Sequence, residues 1–173
     1  ATPTRITSLW QQLCWLQGHP EYCHGGNHWL ENLTSLAIGG LQFSGSNARY
    51  MHLRAMRLLK IELSTQILVD GGHEERSASY HLLILDRLVE LACTLELIHR
   101  DCPTWLLDAI SLMLDWAKSI RLEGGDFPRF NDCAEDSCRS LDDVITFADC
   151  FAHKCSALPI RHCTLCSQKN HTA

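Results

Sequence analysis

The 173-residue sequence lacks any uncharged apolar run near the ~18 residues that would suggest a membrane span. It also opens without the basic stretch and apolar core of a secretory signal. Residue 1 is Ala, and residues 5–17 already have the pattern of a helix. We therefore expect a fragment or a processed chain, and the N-terminus leaves the cellular location open.

Positive charge is scarce as well. The formal net charge is -5, which argues against a generic nucleic-acid binder, because such proteins carry a basic patch. An anionic sugar remains a possible substrate, since a few cations inside a cleft can dominate the local potential. The hydrophobic content of 46% is sufficient for one sizeable core.

Strand-like alternation of polar and apolar residues is absent, whereas apolar residues recur at helical spacing. The predicted helices cover residues 5–17, 27–43, 47–68, 77–99, 104–121 and 141–153. Asn47 and either Ser77 or Ser79 are candidate N-caps, and Pro103 suits a first helical turn. The predicted fold class is all-α, built from antiparallel helical hairpins.

Ten cysteines are distributed unevenly, and six of them lie in the last quarter of the chain. This cluster could be disulfide-bonded, metal-bound or reduced, and the spacing does not decide. One alternative is a structural zinc site formed by a C-x4-C pair and a C-x2-C pair. Its four ligands would be Cys150, Cys155, Cys163 and Cys166. We divide the chain into a helical domain, 1–140, and an atypical cysteine-rich tail, 141–173.

Three stretches are polar where helix construction does not require it. They are GGNHWLEN at residues 25–32, DGGHEERSASYH at residues 70–81 and FPRFND at residues 127–132. In this order and with these separations they resemble the helical catalytic domain of the heparinase II/III family, which includes related alginate lyases. The resemblance covers roughly residues 18–132.

The resemblance implies a polysaccharide lyase fragment that cleaves an acidic, uronic-acid-containing polysaccharide by β-elimination. Its fold would be part of an incomplete α/α toroid, normally followed by a C-terminal β-sandwich domain that is missing here. Family members of this kind are expected to be periplasmic or secreted. The resemblance assigns catalysis to Asn27, with His28 as the alternative, and to Tyr80. A second catalytic His normally comes from later in the chain, and no counterpart is identified.

These residue types suit the chemistry. An amide donor stabilises the charge that builds up on the uronate when the neighbouring proton is removed, and a Tyr needs a cationic neighbour to act as a base. The expected substrate-binding or supporting residues are His28, Glu31, His73, Arg76 and His81. No cofactor is required.

Structural interpretations compete with each of these assignments. Asn27 suits an N-cap, Tyr80 a core aromatic, His73 a loop histidine, and Glu75 with Arg76 an ion pair. In residues 127–132 we expect the two Phe side chains to anchor the loop while Asn131 and Asp132 bond to backbone. The alternative functions are a non-catalytic carbohydrate-binding or scaffold domain and a zinc-stabilised interaction module.

Overall fold

The computed structural model describes residues 2–22, 25–133 and 138–156, and the fold of this part is all-α. The only β-bridge among these residues is an isolated antiparallel one between Ile67 and His73. The helices are α1 (Pro3–Gly18), α2 (Gly26–Gln42), α3 (Ser46–Gln66), α4 (Ala78–Leu97), α5 (Thr104–Ser119) and α6 (Leu141–Ser156).

The predicted helices are confirmed, and their ends differ from the prediction mostly in the caps. Ser77 is the N-cap of α4, where its side chain accepts a hydrogen bond from the Tyr80 N–H. Asn47 is not an N-cap, because Gly45 holds that position with a φ of 106° that favours glycine. Asn27 likewise lies inside the first turn of α2, behind the N-cap Gly25. Pro103 is the N-cap of α5 rather than a residue of its first turn.

Helix α4 is the centre of the core. It packs against α2, α5 and α6, and a helix surrounded in this way must be apolar around most of its circumference. The predicted apolar face of α4 is buried throughout, and it consists of Leu82, Leu85, Leu88, Val89, Ala92 and Leu95. Burying this face against three helices fixes the position of the first turn of α4.

Helices α2 and α3 form an antiparallel hairpin with a turn at residues 43–45. They approach closely, since a Cβ added at Gly40 would lie 2.8 Å from the Ala48 carbonyl oxygen. His52 Nδ1 also bonds to the Ala37 carbonyl oxygen at 2.9 Å. The start of α2 and the end of α3 therefore lie at one end of the bundle, and the turn lies at the other.

Helix α6 packs against α4 and α5, and its Leu141, Val144 and Ala148 are buried in the common core. The predicted boundary after residue 140 thus does not coincide with a break in the core, because these apolar side chains continue it. The toroid remains a prediction. Among the described residues no helix is long and apolar enough to cross a membrane.

The predicted zinc ligands cannot be placed by this fold. Cys163 and Cys166 lie outside the described residues, and so do the side chains of Cys150 and Cys155 on α6. Within residues 2–22, 25–133 and 138–149, no group of three or more His, Cys, Asp or Glu side chains could hold a metal ion.

Candidate active site

The loop between α3 and α4, residues 67–77, carries most of the second polar stretch. Its turn is held by the Asp70 carboxylate, which accepts a hydrogen bond from the Gly72 N–H at 3.0 Å. Gly71 has a φ of 88°, and a Cβ there would lie 2.3 Å from the Leu112 carbonyl oxygen on α5. Only glycine fits this approach without displacement of the backbone, so the DGG sequence fixes the loop against α5.

Glu75 connects this loop to the start of α2. Its Oε1 accepts a hydrogen bond from the Asn27 N–H at 2.7 Å. A Cβ at Gly26 would lie 1.9 Å from the same oxygen, and Gly26 has a φ of 48°. The absence of a side chain at residue 26 therefore lets the carboxylate reach the helix N-terminus, where a negative charge is stabilised by the helix dipole.

The third polar stretch meets the same loop. Asn131 Nδ2 donates to the carbonyl oxygens of Glu75 at 3.1 Å and of Arg76 at 3.0 Å. The Tyr80 hydroxyl donates to Asp132 Oδ2 at 3.4 Å. All three stretches predicted from the sequence thus converge at one end of the bundle. We call Asn27, Glu75, Arg76, Tyr80, Asn131 and Asp132 the polar cluster.

The side-chain amide of Asn27 is a hydrogen-bond donor of this cluster that has no acceptor among the described residues. Asn27 is only 8% exposed, yet its side chain makes no hydrogen bond to any residue that the structure describes. The buried side-chain atoms that lack a partner do not include the Asn27 amide, so solvent reaches the amide. Its position in the first turn of α2 therefore leaves it available to a ligand.

Tyr80 has an environment that favours its protonated form. Partial burial, and then the negative charges of Asp132 and Glu75, raise the pKa of the Tyr80 hydroxyl above its ordinary value. This is opposite to the direction that the sequence interpretation required, because the groups that face the hydroxyl are acidic. No cation is among the groups that shift its pKa in the described part of the chain.

Three residues were expected to place a positive charge near the Tyr80 hydroxyl, and none of them does. They are His73, Arg76 and His81. Arg76 pairs with Asp70 at 3.1 Å, rather than with Glu75. His73 is buried, with Nε2 bonded to Gln66 Oε1 at 3.2 Å, and burial lowers its pKa. The Gln66 amide nitrogen donates to Glu62, so the amide oxygen faces His73 and the ring is a neutral Nε2–H donor.

His81 is a core residue. Its Nε2 donates to the Met113 carbonyl oxygen at 3.0 Å, and its ring lies 4.3 Å from that of Trp116. Burial lowers the pKa of His81 to about 4. In this position His81 supports the packing of α4 on α5 and does not reach the polar cluster.

His28 and Glu31 also lie outside the cluster. His28 Nδ1 lies 3.5 Å from Glu21 Oε2. Glu31 Oε1 lies 3.6 Å from Arg87 Nε and links α2 to α4. Burial raises the pKa of Glu31, and the positive charge of Arg87 partly offsets this. Both side chains therefore have structural partners.

Comparison with known proteins decides the family. The sequence model described as the heparinase II/III N-terminus matches residues 5–156. The chain belongs to the heparinase II/III family. The matched region includes the whole polar cluster, helices α2 to α6, and α1 except for its first two residues. No curated protein and no solved structure matches the chain.

Sequence reasoning missed the contacts made by Glu75 and Asp132 in this heparinase II/III chain. The sequence offers either an ion pair with Arg76 or a substrate contact for Glu75, and a backbone contact for Asp132. Asn131 does bond to backbone, as predicted, but the carbonyls belong to the loop before α4. Phe127 is buried as an anchor, whereas Phe130 is 55% exposed and anchors nothing. The sequence feature that could have indicated the roles of Glu75, Asn131 and Asp132 is that all three lie within the polar stretches.

Proposed function

We propose that this heparinase II/III chain forms one side of a lyase site that cleaves uronic-acid-containing polysaccharide by β-elimination. The observation that supports it best is the Asn27 amide at the start of α2, which has no hydrogen-bond partner among the described residues and is accessible to solvent. Family membership supports the substrate class, and the polar cluster provides a Tyr close to the same helix end.

In the proposed reaction the Asn27 amide donates to the uronate carboxylate. Negative charge builds up on that carboxylate as the C5 proton leaves, so a donor placed there stabilises the transition state. Glu75 already accepts the Asn27 backbone N–H, which leaves the side chain as the group that contacts substrate.

Tyr80 carries the proton in this proposal. Its phenolate removes the C5 proton, the C4–O bond breaks as the C4=C5 double bond forms, and the hydroxyl then protonates the departing glycosidic oxygen. The raised pKa of Tyr80 favours the second half, in which Tyr80 is a donor. The first half requires a cation near the hydroxyl. We infer that it comes from a region beyond the described residues, such as the β-sandwich domain expected in this family.

The test is ultraviolet absorbance of the unsaturated uronate product, with alginate and heparan sulfate as substrates. We expect Tyr80→Phe and Asn27→Ala each to lower kcat by on the order of 100-fold or more. Tyr50→Phe is the matched control, because Tyr50 is exposed on α3 away from the cluster. Equal rates for Tyr80→Phe and Tyr50→Phe would remove Tyr80 from the mechanism.

A non-catalytic carbohydrate-binding domain is the second candidate. It is favoured by the acidic surroundings of the Tyr80 hydroxyl, which oppose formation of the phenolate. Oligosaccharide binding measured by calorimetry separates the two. Binding that is weakened by Asn27→Ala, without unsaturated product even when the region expected to supply the cation is present, would support the binding function over the lyase.

A further inference from the structure

A cavity lies at the end of the bundle opposite the polar cluster, beside the turn between α2 and α3. Its volume is about 480 Å³, and it is lined by that turn, by the start of α3 and by residues that follow α4. Helix α2 has 17 residues, so at about 1.5 Å per residue the cavity lies on the order of 24 Å from the polar cluster. It is therefore separate from the proposed lyase site.

The charge of this cavity is positive. Arg49 and Arg100 both line it, and no acidic side chain does so among the described residues. Neither arginine forms an ion pair with a described carboxylate. Other exposed arginines of this chain, for example Arg76 and Arg121, do have such a partner. Two cations left without a counter-ion at one cavity favour an anionic ligand.

His52 supplies an independent indication of a ligand. It lines the cavity and is 5% exposed. Its Nδ1 must carry the proton, because the partner is the Ala37 carbonyl oxygen. Nε2 is left without a hydrogen bond to any described residue. Burial lowers the pKa of His52, the hydrogen bond to the Ala37 carbonyl oxygen partly offsets this, and the positive charge of Arg100 lowers the pKa further.

The start of α3 adds backbone donors. Its N-cap is Gly45, and no side chain caps the helix. The first N–H groups of a helix have no partner within it, and such a terminus attracts phosphate and sulfate groups. In this cavity the terminus lies beside two guanidinium groups and an imidazole nitrogen.

We propose that this cavity binds a tetrahedral oxyanion, phosphate or sulfate, either free or as a sugar ester. Such a group has enough acceptor oxygens for both arginines and the helix N–H groups at once, and guanidinium groups match its geometry. Protonation of His52 at Nε2 would add one more donor when the anion is bound. The cavity volume of about 480 Å³ leaves room for an attached sugar.

The test is calorimetric titration of the full chain with inorganic sulfate and with inorganic phosphate, at constant ionic strength maintained with chloride. We expect saturable binding of one anion per chain. Arg49→Gln and Arg100→Gln should each raise Kd by about tenfold, since each removes a charge-assisted hydrogen bond. Arg57→Gln is the matched control, because Arg57 is exposed on the same helix and does not line the cavity.

Two further arms complete the experiment. Titrations with glucose 6-phosphate and glucose 6-sulfate identify the source of the anion. If the natural ligand is a sugar ester, these esters should bind more tightly than inorganic phosphate and sulfate. If it is the free ion, the inorganic ions should bind at least as tightly as the esters. Titration of the His52 ring by NMR needs no variant, and sulfate should move its pKa upward. Absence of saturable binding, equal Kd values for all three arginine variants, or an unmoved His52 would overturn the proposal.

Discussion

The buried His81 should make the stability of this chain depend on pH between about 6.5 and 4. Its Nε2 donates to the Met113 carbonyl oxygen, and its Nδ1 is buried without a hydrogen-bond partner among the described residues. A second proton on Nδ1 would have no acceptor. Burial therefore lowers the pKa of the folded ring to about 4, whereas an unfolded His has a pKa of about 6.5.

The sign follows from which state holds more protons. Between pH 6.5 and about 4 the unfolded ring is protonated and the folded ring is not, so stability decreases as the pH falls. Each pKa unit is worth about 1.4 kcal/mol, and the full interval corresponds to about 3 kcal/mol. The stability that the neutral His81 ring contributes is fully present above pH 6.5, is lost as the pH falls toward 4, and does not decrease further below pH 4.

The assay is urea unfolding at pH 7, 6, 5 and 4.5 for the unaltered chain, His81→Gln and His81→Leu. Both variants lack the titrating ring, so their stability relative to the unaltered chain should improve by about 2 kcal/mol between pH 7 and pH 5. Gln can still donate to the Met113 carbonyl and should be more stable than Leu by about 1 kcal/mol. An unchanged difference between the unaltered chain and both variants across this range would refute the reasoning.

Two other structural predictions can be checked by thermal or urea unfolding. Glu75→Ala removes the carboxylate that accepts the Asn27 N–H and should lower the free energy of unfolding by about 1 kcal/mol. Glu74→Ala is the control, because the Glu74 side chain is exposed and its removal should change stability little. Equal losses of stability in the two variants would contradict the capping role of Glu75. Gly71→Ala should destabilise by more than about 2 kcal/mol, because its Cβ would meet the Leu112 carbonyl oxygen. Gly124→Ala is its control, since Gly124 has a φ of 96° and open space around it. An equal loss of stability at both positions would show that backbone strain accounts for the whole effect and that the contact with Leu112 contributes nothing.

The helices were predictable from the sequence because their signal is local. The spacing of Leu82, Leu85 and Leu88 marks the buried face of α4, and Ser77 precedes it as an N-cap. Of the contacts between the polar stretches, the family resemblance implied only that Asn27 and Tyr80 belong to one site. Asn27 and Glu75 are 48 residues apart, and Asn131 and Glu75 are 56 apart. Sequence separations of that size carry no distance information until the helices are packed.

The supporting histidines show why proximity in sequence was misleading. Successive residues of a helix point about 100° apart, so the neighbour of a residue at the cluster can face the core. Tyr80 reaches Asp132, while His81 points toward Met113. His73 follows two glycines and is a loop residue, as predicted, but its ring is buried against Gln66. Side-chain direction, rather than position along the chain, decided which of them could assist Tyr80.

The central place of α4 has a consequence for local unfolding. Proteins open in cooperative units, and peripheral elements with few buried contacts open at a lower free energy than the core. Helix α1 has one buried residue, Leu13, whereas α4 has twelve. Detachment of α1 would therefore leave the amides of α4 protected from hydrogen exchange, and it would leave Tyr80 in place. The residue proposed to carry the proton is thus attached to the part of the chain that opens last.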